Sequence, residues 1–172
     1  MFGATVVLLA AVEVLTAMTP CEVLPIKDAV AVLGPGAKQK DNTAQECTYE
    51  VPLPPGTRRT PFNQPLMLTA RPWWTDIASQ SATEAARNAK QGFNEMMNAL
   101  RQNGASIKDE SANGYSAFSA VNTKKYDDSQ GIYILQGTKN IVISVYRQRG
   151  VTALPDLMDK LRVVAKRAAA RL

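Results

Sequence analysis

The sharpest chemistry in the chain belongs to two cysteines, Cys21 and Cys47, and there is no histidine to work beside them. Without an imidazole, the usual general base near neutral pH and the commonest transition-metal ligand are both missing. Triads of the Ser-His and Cys-His kinds are thereby excluded. Serine–lysine or carboxylate chemistry stays open in principle, but no motif supports it and no catalytic residue is assigned. Two lone thiols would leave a metal's coordination unfinished, and the Cys-x-x-Cys spacing of a redox-active pair is absent. An even cysteine count in an exported chain reads instead as a structural disulfide, Cys21 to Cys47. Its closed loop would stabilise the fold by about 3 kcal/mol in the chain-entropy model. No cofactor or metal is expected.

Four further residues are candidates for binding. Trp73 and Trp74 stand side by side and could form a stacking surface for a ligand. The plainer alternative makes at least one of them a buried lid over a sheet. Arg58 and Arg59 lie in a Pro-Gly loop and could grip a carboxylate or phosphate, or be no more than an exposed loop. Lys124 and Lys125 carry no greater weight. The run Asp127-Asp128-Ser129-Gln130-Gly131 offers oxygens but lacks the alternating acidic spacing and distant Glu of a calcium loop. It reads as a solvated turn. Gly34-Pro-Gly36 lacks the Gly-Lys-Ser/Thr ending of a phosphate loop.

These residues must be held by something, and the bulk numbers say what. A chain of 172 residues with 45% hydrophobic and 20% charged side chains suits one globular domain. Residues 3–18 form an apolar run broken only by Glu13. The run is short for a membrane-spanning helix and fits the core of an export leader. No Lys or Arg precedes it, so an amphipathic or buried N-terminal helix and a membrane anchor remain open. Residues 1–19 are read as the leader and 20–172 as one domain, a monomer that could associate with a membrane without being integral to it. Met18-Thr19-Pro20 before Cys21 is a poor match to a lipid-attachment signal, so a disulfide is preferred to a lipid at Cys21.

Charge is unevenly spread. The net charge is +5, and residues 151–172 carry five cations against two anions. That segment could be drawn to an anionic surface; the simpler reading is a wet helix face whose cations complement the helix dipole. A basic stripe interleaved with exposed aromatics, as a nucleic-acid binder would show, is missing. Nucleic acid is therefore not an expected partner.

Periodicity supplies the elements. Cys21 to Gly34 reads as a short helix with Pro25 in its first turn and Ala29, Val30 and Leu33 on an apolar stripe. Residues 35–46 read as polar turns, and Cys47–Val51 as the first strand. Five prolines across residues 52–65 demand a loop or hairpin connection, and Leu66–Arg71 is a second strand. Ser81-Ala-Thr-Glu84 matches a capping box. It opens a long helix with Phe93, Met96, Met97 and Leu100 on its core stripe and Gly104 at its end. Ala105–Asp109, Tyr115–Val121, Ile132–Gln136 and Ile141–Tyr146 follow as strands, the last two joined by Gly137-Thr-Lys-Asn140 as a hairpin. A final helix starts near Pro155 and keeps Leu154, Leu157, Met158, Leu161, Val164, Ala165, Ala168 and Leu172 on one stripe. The prediction is an α+β fold. A mainly antiparallel sheet of about five to six strands carries a long central helix and a C-terminal helix, and the disulfide ties down a short N-terminal helix.

The order Cys21-x-x-Leu24, Val32-Leu33-Gly34, Cys47-x-Tyr49 resembles the opening of small exported bacterial domains of unknown function, many of them lipoproteins. Asn113-Gly114-Tyr115-Ser116-Ala117-Phe118 is similar to the strand entry of those domains. Ile132–Gly137 with Ile141–Val145 is similar to their closing hairpin, and Ala168–Leu172 to their final helix. The resemblance spans most of residues 20–172. This chain departs from it in having Tyr115 where those domains carry Asp, and in lacking a recognisable lipid-attachment signal. The resemblance implies export, the disulfide and an α+β sandwich, and it brings no catalytic residues.

Together these readings point to a non-catalytic module of the cell envelope, periplasmic or secreted. It is expected to bind a protein, peptide or small ligand through the sheet or the Trp73–Trp74 region. A structural protein held to an anionic envelope surface by its basic helix is the second expectation, and an enzyme with an unrecognised site the third.

Overall fold

In the strand that ends the sheet's central hairpin, Ile141, Ile143 and Val145 face one layer of helices and Val142 faces away from it. That alternation, the two-residue period of extended backbone, runs through the whole sheet. The structure is a computed structural model that describes residues 18–58, 65–73, 81–124, 127–148 and 156–172, with only the backbone of 123, 124, 127, 128, 147 and 148. The elements in chain order are α1 (Pro20–Val23), α2 (Ile26–Leu33), β1 (Lys38–Asn42), β2 (Cys47–Glu50), β3 (Met67–Arg71) and α3 (Ala82–Gln102). They continue as β4 (Ser106–Asp109), β5 (Ser116–Lys124), β6 (Asp127–Gln136), β7 (Lys139–Gln148) and α4 (Leu157–Ala169). The seven strands form one sheet in the order β1-β2-β3-β7-β6-β5-β4, with every neighbouring pair antiparallel.

Each face of the sheet has its own core. On one, Leu68, Ala70, Ile132, Ile134, Ile141 and Ile143 pack beneath α1, α2 and α4, whose Val23, Val32, Leu161, Val164 and Ala168 are wholly or almost wholly buried. On the other, Phe118, Ala120 and Leu135 pack beneath Ala89 and Phe93 of α3. Tyr133 and Leu135 thus point to α3 while Ile132 and Ile134 point to α4, as an antiparallel sheet covered on both faces requires. The predicted α+β architecture is the observed one.

The disulfide is formed as expected. Cys21 and Cys47 are joined with their α-carbons 5.0 Å apart, within the usual range for a bridge. It fastens α1 to the first core strand, and Tyr49 reinforces it by donating its hydroxyl to the Leu24 carbonyl at 2.7 Å. Burial, with the nearby Asp28 charge, pushes the Tyr49 phenol up from its ordinary value.

Four expectations are corrected. The leading helix is two helices, because Pro25 adopts an extended backbone (ψ 160°) and caps α2 instead of sitting inside it. Within α2, Val30 is exposed and Val32 is fully buried, so the stripe is rotated from the one predicted. Residues 38–42 form a seventh strand where turns were expected; all five of its residues are exposed, as suits a charged edge that resists further pairing. Residues 127–131 belong to β6, Lys124 pairing with Asp127 across to β5, and so are not a turn.

The long helix ends as predicted. Glu84 donates its backbone N–H to Ser81 Oγ at 3.2 Å. At the other end Gly104 takes φ 86°, and the N–H groups of Gly104 and Ala105 return to the carbonyls of Arg101 and Leu100, each at 3.0 Å. That is a Schellman ending, which a glycine makes inexpensive. Leu154 and Pro155, expected at the start of the final helix, lie outside the described residues.

Candidate binding groove

The connection from β4 to β5 is short, polar and pinned at every step. Asp109 Oδ1 accepts the Ser111 N–H at 2.9 Å, which holds the Asp109 carboxyl below its ordinary value. Ser111 Oγ accepts from the Ala117 N–H at 3.0 Å and donates to the Ala117 carbonyl at 3.2 Å. Ala112 and Tyr115 exchange backbone hydrogen bonds in both directions, closing a four-residue turn in which Gly114 takes φ 95°. A side chain at Gly114 would be strained there.

The loop is then tied to the α4 layer. Glu110 Oε1 accepts from Arg162 Nε at 2.9 Å and from Ser119 Oγ at 3.0 Å, and it lies 2.9 Å from Arg162 Nη2 in the same ion pair. Burial pushes the Glu110 carboxyl up, but the Arg162 and Ser119 hydrogen bonds outweigh it and hold the group below the usual carboxylate range. Arg162 also reaches Asp159 at 2.6 Å, and these bonds, the one to Glu110 foremost, raise its own affinity for its proton.

On the opposite side the loop faces α3 and leaves a groove of about 420 Å³, open to solvent. Its walls are Ala86 and Lys90 from α3, Ala112, Gly114, Tyr115 and Ser116 from the turn, and Leu135 and Gly137 from the β6–β7 hairpin. Small residues at Ala86, Ala112, Gly114, Ser116 and Gly137 leave the space that Lys90, Tyr115 and Leu135 border. Ala86, Lys90 and Phe93 stand on successive turns of one helix face, and only Phe93 plugs into the sheet. Lys90 and Ser116 form a polar pair on its wall, Lys90 Nζ donating to Ser116 Oγ at 3.4 Å. Tyr115 is the partition, since it also borders a cavity of about 70 Å³ under α4, beside Glu110, Ile132 and Arg162.

The residues singled out from sequence are placed elsewhere. Trp73 is half-buried: its indole Nε1 donates to the Ile134 carbonyl at 3.3 Å, and its backbone N–H donates to Asn140 Oδ1 at 3.0 Å. Its ring lies 5.8 Å from Phe93, which meets Phe118 edge-on at 4.9 Å, and Phe118 stacks on Tyr133 at 4.7 Å. Trp73 therefore terminates an aromatic column under α3, the lid arrangement, and Met96 and Met97 pack against the same core. Burial raises the phenol of Tyr133 in that column, against a smaller opposite pull from Arg71. Arg58 is exposed in the proline loop. Arg59, Trp74 and Lys125 lie outside the described residues, and Lys124 is described only in its backbone.

The basic helix is largely occupied with its own protein. Arg162 pairs with Glu110 and Asp159, and Arg167 and Arg171 both pair with Asp28. Three of the five cations counted from sequence are thus engaged. Lys90, Tyr115 and Ser116 were missed as a group. One sequence signal bears on them: Lys90 interrupts, at core spacing, a face that otherwise reads Ala86, Ala89, Phe93.

Among the described residues, no cluster of His, Cys, Asp or Glu could hold a metal ion, and no helix is long and apolar enough to cross a membrane. No family model matches the chain, and no curated protein does. Among solved structures, a point mutant of the protein Mog1 is similar over 80% of this chain and 82% of that one, at 11% identity and a TM-score of 0.31. So loose a likeness carries no argument.

Proposed function

We propose that this protein is a non-catalytic binding module of the cell envelope, working outside the cytoplasm, and that the groove between α3 and the β4–β5 loop receives its ligand. The observation that carries this reading is the loop's construction. Ser111, Glu110 and Arg162 fix its shape before any ligand arrives, and a pre-formed recess that sets polar groups beside apolar surface is what small-ligand recognition uses. Pre-organisation lowers the entropy lost on binding. The disulfide supports the compartment, because such bridges form and persist mainly in oxidising surroundings. The basic-helix reading is weakened by the ion pairs that neutralise most of that helix.

Filling the groove tests the proposal. Ala86 is exposed on α3, so Ala86→Trp should fold normally by circular dichroism while obstructing the site. Native mass spectrometry of both proteins, incubated with small molecules and peptides extracted from cell envelopes, should show adducts on the wild type that the variant lacks. Equal adducts on both proteins would remove the groove from consideration.

A further inference from the structure

We infer that the groove selects ligands ending in a carboxylate carried on a short apolar body, with Lys90 and Ser116 receiving the anionic end. This rests on the groove being the binding site, and it follows from the groove's inventory of charge. Among the described residues on the lining, Lys90 is the only one with an ionised side chain, and its Nζ is 3.4 Å from Ser116 Oγ. One ammonium and one hydroxyl, on neighbouring elements, supply donors to the two oxygens of a carboxylate. A phosphate dianion would leave a second charge without a partner, since the other described lining residues are Ala, Gly, Leu and Tyr. Sites for phosphate normally add a guanidinium or a nest of backbone N–H groups. A cationic ligand would meet the Lys90 ammonium with no acid among the described lining residues to offset it.

The remaining walls set the body of the ligand. Leu135, Ala86 and Ala112 give apolar surface, while Gly114 and Gly137 open the ends where the turn and the hairpin approach. Gly114 at φ 95° and Gly137 at φ 61° hold these openings, because a side chain at either position would be strained. Tyr115 closes the floor against the α4 layer. A short straight chain or a chain end with small side chains matches these walls; a broad fused ring has no flat partner there except Tyr115.

The carboxylate could belong to a free short-chain acid or to the C-terminus of an apolar peptide, and the probes separate the two. Backbone amide resonances of Gly114, Ser116 and Gly137 are followed while octanoate, octanol, octyl phosphate, and a short apolar peptide with a free or amidated C-terminus are titrated in. Octanoate or the free-ended peptide should move these amides. Lys90→Met should weaken that binding about fivefold, as an exposed charge pair allows, and leave octanol unaffected. Preference for the free-ended peptide over octanoate assigns the source to a chain end, and the reverse assigns it to a small acid. Octanol binding as tightly as octanoate, with neither responding to Lys90→Met, would overturn the carboxylate assignment while leaving the groove as the site. Octyl phosphate binding more tightly than octanoate would overturn it too. If no probe moves the groove amides and Ala86→Trp keeps every envelope adduct, the groove itself is the wrong place.

Discussion

Just past the end of α4, Arg171 places Nη1 2.7 Å from Oδ2 of Asp28, a carboxylate with no exposed surface at all. Arg167 takes the other oxygen at 2.9 Å, and Arg171 also donates to the Val23 carbonyl at 2.7 Å. One buried charge therefore joins α1, α2 and α4 into the layer that backs the sheet. A carboxylate so placed must be paired, since leaving it alone in the interior is far costlier than never having buried it.

Removing both arginines should consequently cost more than the two single losses together. Arg171→Met should destabilise more than Arg167→Met, because the Arg171 side chain is 24% exposed against 52% for Arg167. The double variant should lose about 3 kcal/mol or more, as an unpaired buried carboxylate implies. A double-mutant cycle by urea denaturation measures this; strict additivity would mean that Asp28 finds another partner or water.

Replacing Cys21 and Cys47 by Ala should lower stability by about 3 kcal/mol, given a closed loop in this size range. The sequence separation is 26 residues. The sheet itself should survive, because Tyr49 still bonds the Leu24 carbonyl and β2 still pairs with β3. Thermal unfolding with and without reductant gives the same comparison on the wild type.

Glu110 predicts a pH dependence. Its carboxyl is held below the ordinary glutamate range in the folded protein, so its stabilisation is present above the unfolded value and fades as pH falls through the folded one. Glu110→Gln should cost about 1 kcal/mol at neutral pH, the scale of a partly exposed charge-assisted pair. Its unfolding midpoint should converge with that of the wild type in acid. A difference that persisted unchanged to low pH would show that Glu110 acts by packing and not by charge.

Gly131 should resist enlargement. A Cβ built there would lie 3.1 Å from Ser144 Cβ and 3.3 Å from the Ile143 carbonyl, both held by the β6–β7 ladder. Gly131→Ala should therefore destabilise by about 1–2 kcal/mol, in line with modest overpacking. Ala86→Gly, on an exposed helix position, is the contrasting control, costing about 1 kcal/mol through helix propensity alone. Chemical denaturation of both separates strain in the sheet from helix propensity.

What the sequence made legible, and what it hid, has a physical pattern. The core strands were readable because Ile141 through Val145 and Ile132 through Leu135 are covered on both faces. The disulfide was readable because only two sulfurs could meet. The edge strand Lys38–Asn42 was not, since a strand exposed along its whole length has no buried face to impose alternation; its pairing with β2 decides its conformation. The break at Pro25 was hidden because proline is acceptable both inside a first turn and ahead of it. The groove was hidden more deeply. Lys90 and Ser116 are 26 positions apart in sequence and meet only because α3 lies across the sheet. The space between them is defined by side chains that are small, which leaves no motif. Trp73 drew notice for its chemistry, and its indole turned out to be satisfied by the Ile134 carbonyl.

The proposed role requires that the Cys21–Cys47 bridge, which clamps α1 to the sheet, be made outside the cytoplasm. The most direct measurement is differential alkylation of the protein recovered from fractionated native cells, before and after reduction. An exported protein should appear in the extracytoplasmic fraction with Cys21 and Cys47 resisting alkylation until a reductant is added. Recovery in the cytoplasm with both thiols alkylated at once would contradict the proposed role.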